Sequence, residues 1–488
     1  MVRPFVLLLS VMALAACGGR GDGALKVAII DKPADLFAGG PRLSPGAQHV
    51  RAATQSGLVA LDEKGDVVPA LADRWIVTDD GLSFIFRLRE GSWGDKRELT
   101  AESVRVALNE ELRSLRGTSL GLDLAPVAEV RAMAGRVIEI RLAVPVPNLL
   151  QLLAQPELAL TRGKGGTGPM ILARRGPAAA VLAMKRPADR GLPEEKDWQA
   201  HVRAIDLQAA DAARAIALFD NGNVDLVLGG RIGALPLAPT GTLSRGTVHL
   251  DPAIGLFGLQ LRRADGFLAT AENREAVAMA IDRPALIEPF NIAGWVPTTR
   301  LVAPGLPEDS GLVGERWAGQ ALEALRAQAA RRVAAWRAAN RGAAVQLSVA
   351  LERAPGNDTL FDELAGQLRM VGITLERVPE NAPADLVLVD RVARYLAPRW
   401  FLDQFACSLH QGLCDAEADA LAAQAAVEVN AAARARTLAE AEIKLTSANV
   451  FVPLGSPLRF SLVRSNVTGF VANAWAFHPL PALAVIPK

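Results

Sequence analysis

A cysteine preceded by small residues lies near the start of the sequence, in the run Leu14-Ala15-Ala16-Cys17. Arg3 and an apolar stretch from Phe5 to Ala13 come before it, which is typical of a bacterial export signal ending in a lipoprotein cleavage site. In such a site the thiol of the cysteine is the nucleophile that takes up the lipid. An ordinary signal peptide or a membrane helix is the alternative, but the apolar stretch is too short to span a bilayer. The sequence therefore predicts lipidation at Cys17.

Two further cysteines, Cys407 and Cys414, have His410 between them and Asp415 directly after them. Thiolates and imidazole are zinc ligands, so one interpretation is a metal site. A second is a disulfide, which an oxidising compartment favours, and a third is a pair of free thiols. On a straight helix the two cysteines would lie about 10 Å apart, too far to bridge. We expect a disulfide with a bend at Gly412, and no metal site.

Motifs for catalysis are missing from the sequence. The Gly-rich run Gly163–Gly168 lacks the glycine-lysine-serine/threonine ending of a phosphate-binding loop. No serine has the glycine-flanked pattern of a hydrolase nucleophile, and no histidine pair has the spacing of a zinc protease. The histidines are scattered, at His49, His201, His249, His410 and His478. We therefore expect that the protein is not an enzyme and has no cofactor.

Charge and composition exclude some partners. Lys and Arg number 53 and Asp and Glu 52 among 488 residues, so there is no excess of positive charge for nucleic acid. Half of the residues are apolar, which is enough for sizeable cores. Beyond the predicted signal peptide, no apolar run has the length of a membrane-spanning helix. We expect a globular body of two or three domains, held outside the cytoplasm by a lipid anchor.

Apolar periodicity predicts strands that alternate with helices. The strand pattern is clearest in Leu82–Leu88 and Ile138–Leu142, and Thr100 can cap a helix that runs to Leu115. Further strands are expected at 25–30, 224–228, 345–351, 373–378 and 385–389, and further helices near 208–220, 271–288, 315–340, 358–371 and 415–448. This order predicts an α/β fold with partly parallel sheets.

Short motifs occur in the order found in one family of exported proteins. They are Pro69–Ala72, Asp79–Leu82, Leu88–Gly91, Leu99–Glu102, Gly166–Pro169, Gly222–Leu226, Asn273–Ile287, Leu364–Ile373 and Val467–Phe470. Each motif alone is unspecific, but together they cover nearly all of the chain after the signal. The sequence thus resembles the family 5 solute-binding proteins of ABC transporters, the class that binds dipeptides, oligopeptides and nickel.

The resemblance implies an α/β fold of the periplasmic binding protein type II kind, with two lobes and three structural domains around a ligand cleft. Solute would be buried as the lobes close about a hinge. The implied partners are a peptide or small organic solute and the permease subunits of an ABC importer in the inner membrane, and the receptor would be a monomer. The expected division is a signal peptide at 1–16, a lipidated cysteine and tether at 17–24, a first-lobe core at 25–53, 164–255 and 450–488, an accessory domain at 54–163, and a second lobe at 256–449.

The segment Ala384–Asp403 aligns without gaps to a ligand-binding stretch of the family. In peptide-binding members an aspartate of this stretch pairs with the α-ammonium group of the peptide, but here Arg394 stands at that position. If Arg394 faces the cleft, it favours a carboxylate or phosphate over an amine. Asp390 would be the substitute anion if a free amine is bound. The alternative is that Arg394 is an exposed loop residue.

Aromatic and strand-end residues extend the list of candidates. Tyr395 is the sole tyrosine of the chain, Trp295 follows a predicted helix, and Arg231 follows a predicted strand, where α/β sheets place ligand contacts. The candidate ligand-binding residues are Asp390, Arg391, Arg394, Tyr395, Trp400, Arg231 and Trp295.

Three hypotheses follow. The first is a lipid-anchored periplasmic receptor for an ABC importer, on either membrane, that binds a peptide or another small organic solute. The second is a non-transport interaction or assembly lipoprotein on the same scaffold, motivated by the charge changes at Asp390, Arg391 and Arg394. The third is uptake of nickel or of a metal complex.

Overall fold

The structure is a computed structural model that describes residues 23–162, 166–239 and 246–486. The predicted signal peptide, the lipidation site Cys17 and most of the tether lie outside the described residues. Among the helices in these ranges, none combines the length and the apolar character needed to cross a membrane.

Strands and short to medium helices alternate along the chain. The strands are β1 Leu25–Ile30, β2 Val59–Leu61, β3 Val67–Pro69, β4 Ala72–Val77, β5 Ser83–Leu88, β6 Val127–Met133, β7 Val137–Leu142, β8 Met170–Arg174, β9 Ala179–Met184, β10 Ile205–Ala210, β11 Leu226–Arg231, β12 Val248–Asp251, β13 Gly255–Leu261, β14 Val345–Ala350, β15 Ile373–Val378, β16 Leu386–Val392, β17 Phe451–Gly455 and β18 Arg459–Val463. The helices are α1 Pro45–Thr54, α2 Ala101–Ser114, α3 Ser119–Asp123, α4 Leu149–Leu153, α5 Ala212–Asp220, α6 Ala271–Ala280, α7 Arg283–Ile287, α8 Leu322–Ala339, α9 Pro355–Met370, α10 Pro398–Asp403, α11 Ala416–Val427, α12 Ala431–Ala448 and α13 Leu480–Leu483.

Seven strands form the sheet of the first lobe, in the order β12-β18-β11-β1-β10-β9-β8. The central strand β1 is parallel to both β10 and β11, and the other pairs are antiparallel. Val27 and Ile29 face one hydrophobic core and Ala28 faces another, so β1 is buried on both sides. This double burial explains its continuous apolar sequence.

Five strands form the sheet of the second lobe, in the order β15-β14-β16-β13-β17. β14 is parallel to β15 and β16, whereas β13 is antiparallel to β16 and β17. The expected division placed residues 450–455 in the first lobe, and this boundary is corrected. β17 pairs with β13, and its Val452 and Leu454 are buried in the core shared with the second sheet. The chain therefore crosses between the two sheets at 252–254 and again at 456–458.

A third region, between α1 and β8, contains the four-stranded sheet β4-β5-β7-β6 and the hairpin of β2 and β3. Phe84, Phe86 and Leu88 of β5 are buried in one core with residues of α2, as the alternating pattern predicted. Thr100 caps α2: its hydroxyl accepts from the backbone N–H of Ser103, whose own hydroxyl accepts from the N–H of Thr100. The sequence-based expectations for these elements are confirmed.

Other predicted helices are shorter or divided. The expected helix near 208–220 begins only after Asp211, because the residues before it pair with β1 and the Asp211 carboxylate caps α5. The helix expected near 315–340 begins only at α8. The Ala-rich segment 415–448 forms the two helices α11 and α12, and the Asn430 side chain caps the second of them.

Cys407 and Cys414 are joined by a disulfide, with their Cα atoms 5.2 Å apart. The chain between them does not continue as a helix, because a 3₁₀ turn over Cys407–Leu409 ends at His410 with a φ of 53°. Gly412 then passes close to the backbone of Leu261, where an added Cβ would lie 2.5 Å from the carbonyl oxygen. These two bends bring the cysteines together.

Replacing both cysteines by serine is expected to lower the free energy of unfolding of the second lobe by about 2–3 kcal/mol, because the unfolded chain loses a cross-link. Urea titration with and without reductant checks this. Reductant should weaken the wild-type protein and leave the double variant unchanged. Equal stability of the wild-type protein in both conditions would contradict the expectation.

Candidate ligand-binding site

A cavity of about 390 Å³ lies between the lobes and is lined by all three regions of the fold. The first lobe contributes the end of β11 and the loop before α1, the second lobe contributes the end of β16, and the third region contributes Gln155 and Glu157. β11 and β16 both reach the cavity at their carboxyl ends, which is where α/β proteins bind ligands. We refer to this cavity as the cleft.

Five of the seven candidate residues line the cleft, and two do not. The five are Asp390, Arg391, Arg394, Trp400 and Arg231. Trp295 instead lines a separate cavity of about 460 Å³, where it packs against Gly455 and donates from its indole N–H to the carbonyl of Ser456. Tyr395 is buried beside the cleft, and its hydroxyl donates to Oδ1 of Asp123 at 2.7 Å.

Arg394, at the position of the family's aspartate, forms a two-pronged ion pair with Glu157. Its Nη2 and Nη1 atoms lie 3.0 and 3.1 Å from the two carboxylate oxygens, and Nη1 also donates to Oε1 of Gln155. Glu157 is only 1% exposed, so its charge depends on this partner. Burial opposes the charge of Arg394, but Glu157 outweighs it and raises the pKa of Arg394. Arg394 is thus a partly buried residue, and the alternative of an exposed loop residue is wrong.

Asp390, the other possible partner for a ligand amine, is also engaged. Its Oδ1 atom lies 2.6 Å from Nη1 of Arg459, a residue of the first lobe. Burial lowers the pKa of Arg459, and Asp390 partly offsets that effect. A ligand amine that reached this carboxylate would share it with the Arg459 guanidinium.

The hydrogen-bond partners of the Arg391 side chain in the described ranges are both neutral. Arg391 donates to Oε1 of Gln404 at 3.2 Å and to Oε1 of Gln411 at 3.0 Å. Burial lowers the pKa of Arg391, and the positive charges of Arg262, Arg42 and Arg394 lower it further. The guanidinium therefore lies in a positive potential without a carboxylate beside it.

A buried group of carboxyls joins the third region to the second lobe next to the cleft. Burial raises the pKa of Asp123 well above its ordinary value, and the nearby charge of Asp403 raises it further. Oδ2 of Asp123 is buried and accepts no hydrogen bond within the described residues. Burial also raises the pKa of Asp403, so both carboxyls of the pair hold a proton more readily than a free aspartate does.

The sequence analysis missed several cleft residues, among them Arg42, Glu157 and Gln155. Glu157 is 237 residues from Arg394 along the chain, so no local pattern joins them. His49 also lines the cleft; burial lowers its pKa to about 4, and it therefore contributes no charge near neutral pH. Across the described ranges, no cluster of three His, Cys, Asp or Glu side chains has a geometry suited to a metal ion.

Two α/β lobes that enclose a cleft at their strand ends define the class of type II periplasmic binding proteins. Residues 66–410 match the family model described as bacterial extracellular solute-binding proteins, family 5 (middle region). This chain belongs to that family, as the motif resemblance predicted.

Individual relatives agree with this assignment. A segment of 128 residues is 33% identical to a probable deoxycholate-binding periplasmic protein of Escherichia coli and covers 21% of this chain and 22% of that protein. Another alignment, 25% identical over 311 residues, covers 58% of this chain and 56% of the E. coli nickel-binding periplasmic protein. The chain thus matches about a fifth of the length of the first relative and just over half of the length of the second. The solved E. coli murein tripeptide binding protein shares the fold, with a TM-score of 0.81 over 95% of this chain and 99% of that one at 18% identity.

Breaking the Arg394–Glu157 pair is expected to favour separation of the lobes. The variant Arg394→Gln leaves the Glu157 carboxylate buried without a cation, a penalty of about 3 kcal/mol or more that opening relieves. Small-angle scattering should show a larger radius of gyration than for the wild-type protein. The radius of gyration of the double variant Arg394→Gln/Glu157→Gln should be closer to the wild-type value, because no buried charge is left without a partner. A double variant with as large a radius of gyration as the single variant would contradict the expectation.

The carboxyl pair predicts a pH effect on stability. Because the native pKa of Asp123 is raised above its unfolded value of about 3.9, the native protein keeps a proton that the unfolded chain releases. The stabilisation is complete at acidic pH and is lost as pH rises through the raised pKa. The variant Asp123→Asn mimics the protonated form, so its melting temperature should fall less than that of the wild-type protein at higher pH. An exposed control, Asp220→Asn, should follow the wild-type curve.

Proposed function

We propose that this chain is the extracytoplasmic receptor of an ABC importer, which captures a peptide or other small organic solute between its lobes and delivers it to permease subunits in the inner membrane. Membership of family 5 supports the receptor role. The observation that carries the proposal is the cleft itself, a cavity of about 390 Å³ whose walls come from both lobes. A solute held there contacts both lobes at once and thereby stabilises the closed form.

Anchoring is part of the same proposal. Lipid on Cys17 would hold the receptor, as a monomer, at a membrane of the periplasm. The Gly-rich run after Cys17 would give the body freedom to reach the permease. Binding and closure are the proposed activity, with no covalent chemistry.

The second candidate function is an interaction or assembly lipoprotein that no longer takes up solute. The ion pair of Arg394 and Glu157 favours it, because protein groups occupy the position at which the family's aspartate meets a peptide amine. A cleft filled by side chains would support this candidate further. The remaining cavity, with polar groups on its walls, supports the receptor instead.

The test is a thermal-shift screen of the chain after Cys17 against free peptides, N-acetylated peptides, organic acids and nickel. A ligand that binds only the folded protein raises its melting temperature. At a ligand concentration a hundredfold above Kd, the free energy of unfolding increases by about 2.7 kcal/mol. Ser119 lines the cleft, so Ser119→Trp should remove the shift. Ser114→Trp is the matched control, because Ser114 is exposed in the same region outside the cleft.

A shift that survives in Ser119→Trp would locate the ligand elsewhere and contradict the proposal. Failure of the whole screen, together with capture of a folded protein partner by the wild-type cleft but not by Ser119→Trp, would favour the assembly role.

A further inference from the structure

The charges that line the cleft are unequal. Its walls carry two carboxylates, Glu157 and Asp390, and the five arginines Arg42, Arg231, Arg391, Arg394 and Arg459. The even charge of the whole chain, 53 basic against 52 acidic residues, shows that this excess is local. An arginine cluster in a concave, partly desolvated site attracts anions more strongly than the same charges on an open surface.

Both carboxylates are already neutralised by arginines. Glu157 pairs with Arg394 and Asp390 pairs with Arg459, each at hydrogen-bond distance. Among the described residues that line the cleft, no carboxylate without an arginine partner is left for a ligand ammonium group. Three of the lining arginines have no carboxylate partner in the same part of the chain: Arg42, Arg231 and Arg391.

Of the three, Arg391 is the one whose charge is partly buried and therefore most in need of an anion. Its hydrogen-bond partners are the amide oxygens of Gln404 and Gln411, which orient the guanidinium without compensating its charge. Burying an uncompensated cation is unfavourable unless an anion accompanies it. Arg42 and Arg231 are exposed, and neither has a side-chain partner within the part of the chain that the structure describes.

The three arginines come from both sides of the cleft. Arg391 lies near the carboxyl end of β16 in the second lobe, whereas Arg231 ends β11 and Arg42 precedes α1 in the first lobe. As the lobes approach, these cations repel one another. An anion between them reverses this repulsion, since each guanidinium can then donate to its oxygen atoms.

We propose that the cleft binds an anionic organic solute whose carboxylate or phosphate group is held by Arg391, Arg231 and Arg42. The inference rests on the proposed receptor function and narrows its substrate class. It also moves the anion site away from Arg394, whose guanidinium is taken by Glu157 and Gln155. Neutralising the repelling arginines couples solute binding to closure of the lobes.

The experiment compares matched pairs of probes by calorimetry and thermal shift at low ionic strength. Succinate is compared with succinamide, and glycerol 3-phosphate with glycerol; alanyl-alanine amide is the cationic probe. Succinate and succinamide differ in charge more than in shape, and glycerol is glycerol 3-phosphate without its phosphate group. The two pairs separate carboxylate from phosphate recognition. The variants are Arg391→Gln and Arg231→Gln, with Arg263→Gln as the control, because Arg263 is exposed and lies outside the cleft lining.

We expect at least one anion to bind the wild-type protein and its neutral counterpart not to bind. Affinity for that anion should fall about tenfold or more in Arg391→Gln and in Arg231→Gln, and stay unchanged in Arg263→Gln. Without ligand, Arg391→Gln should melt at a higher temperature than wild type, because the repulsion is relieved. Arg231 is exposed, so its variant retains the fold and serves if Arg391→Gln is poorly folded.

Two outcomes overturn the inference: no anion binds the wild-type protein, or anions bind all variants equally. Binding of the amide, glycerol or the cationic probe in the first case would leave the receptor function standing and refute only the anion class. Absence of binding by probes of every charge would contradict both.

Discussion

The carboxylate of Glu157 is buried and needs a cation, which Arg394 supplies from the opposite side of the cleft. Water is largely excluded from this contact, so neither charge is tolerated there alone. The closed arrangement of the third region against the second lobe therefore depends on the segment after β16 having one particular conformation. Tyr395 stabilises the same contact, since its hydroxyl donates to Asp123 at the end of α3 in the third region. In the proposed receptor, this ion pair of Arg394 and Glu157 favours the closed form in addition to any contribution from bound solute.

At the position where peptide-binding members of the family have an aspartate, this chain has Arg394, and the basic side chain requires an acidic partner elsewhere. Arg394 pairs with the buried Glu157 of the third region, so both charges are used within the protein. Asp390 is used in the same way by Arg459. Among the described residues, Arg42, Arg231 and Arg391 of the cleft lining have no carboxylate partner, and Arg391 donates to two glutamine side chains. For the proposed anion site, selectivity by charge depends on which ion pairs the protein completes internally, and not only on the number of acidic or basic residues near the cleft.

The sequence predicted much of the fold, because it depends on local patterns and on ordered family motifs. The strand β5 and the capped helix α2 follow directly from alternation and from Thr100. The predicted boundaries of elements and lobes were wrong where pairing between distant strands determined them. Residues 208–210 joined β1 in a sheet although they begin an Ala-rich helical stretch, and β17 paired across the expected lobe boundary. For the site, alignment located Arg394 but not its partner, since contacts between residues more than 200 positions apart leave no mark in a single sequence.

The loop closed by the disulfide contacts a residue that lines the cleft. Gln411 lies between Cys407 and Cys414, and its side-chain oxygen accepts a hydrogen bond from Arg391 in the cleft. The backbone carbonyl of the same residue accepts from Arg262, so the loop holds two of the neighbouring cations in place. The covalent bond thus constrains the position of a cleft-lining guanidinium through one glutamine. The redox state of the compartment is in this way linked to the geometry of the cleft, because reduction of the disulfide removes a constraint on Arg391.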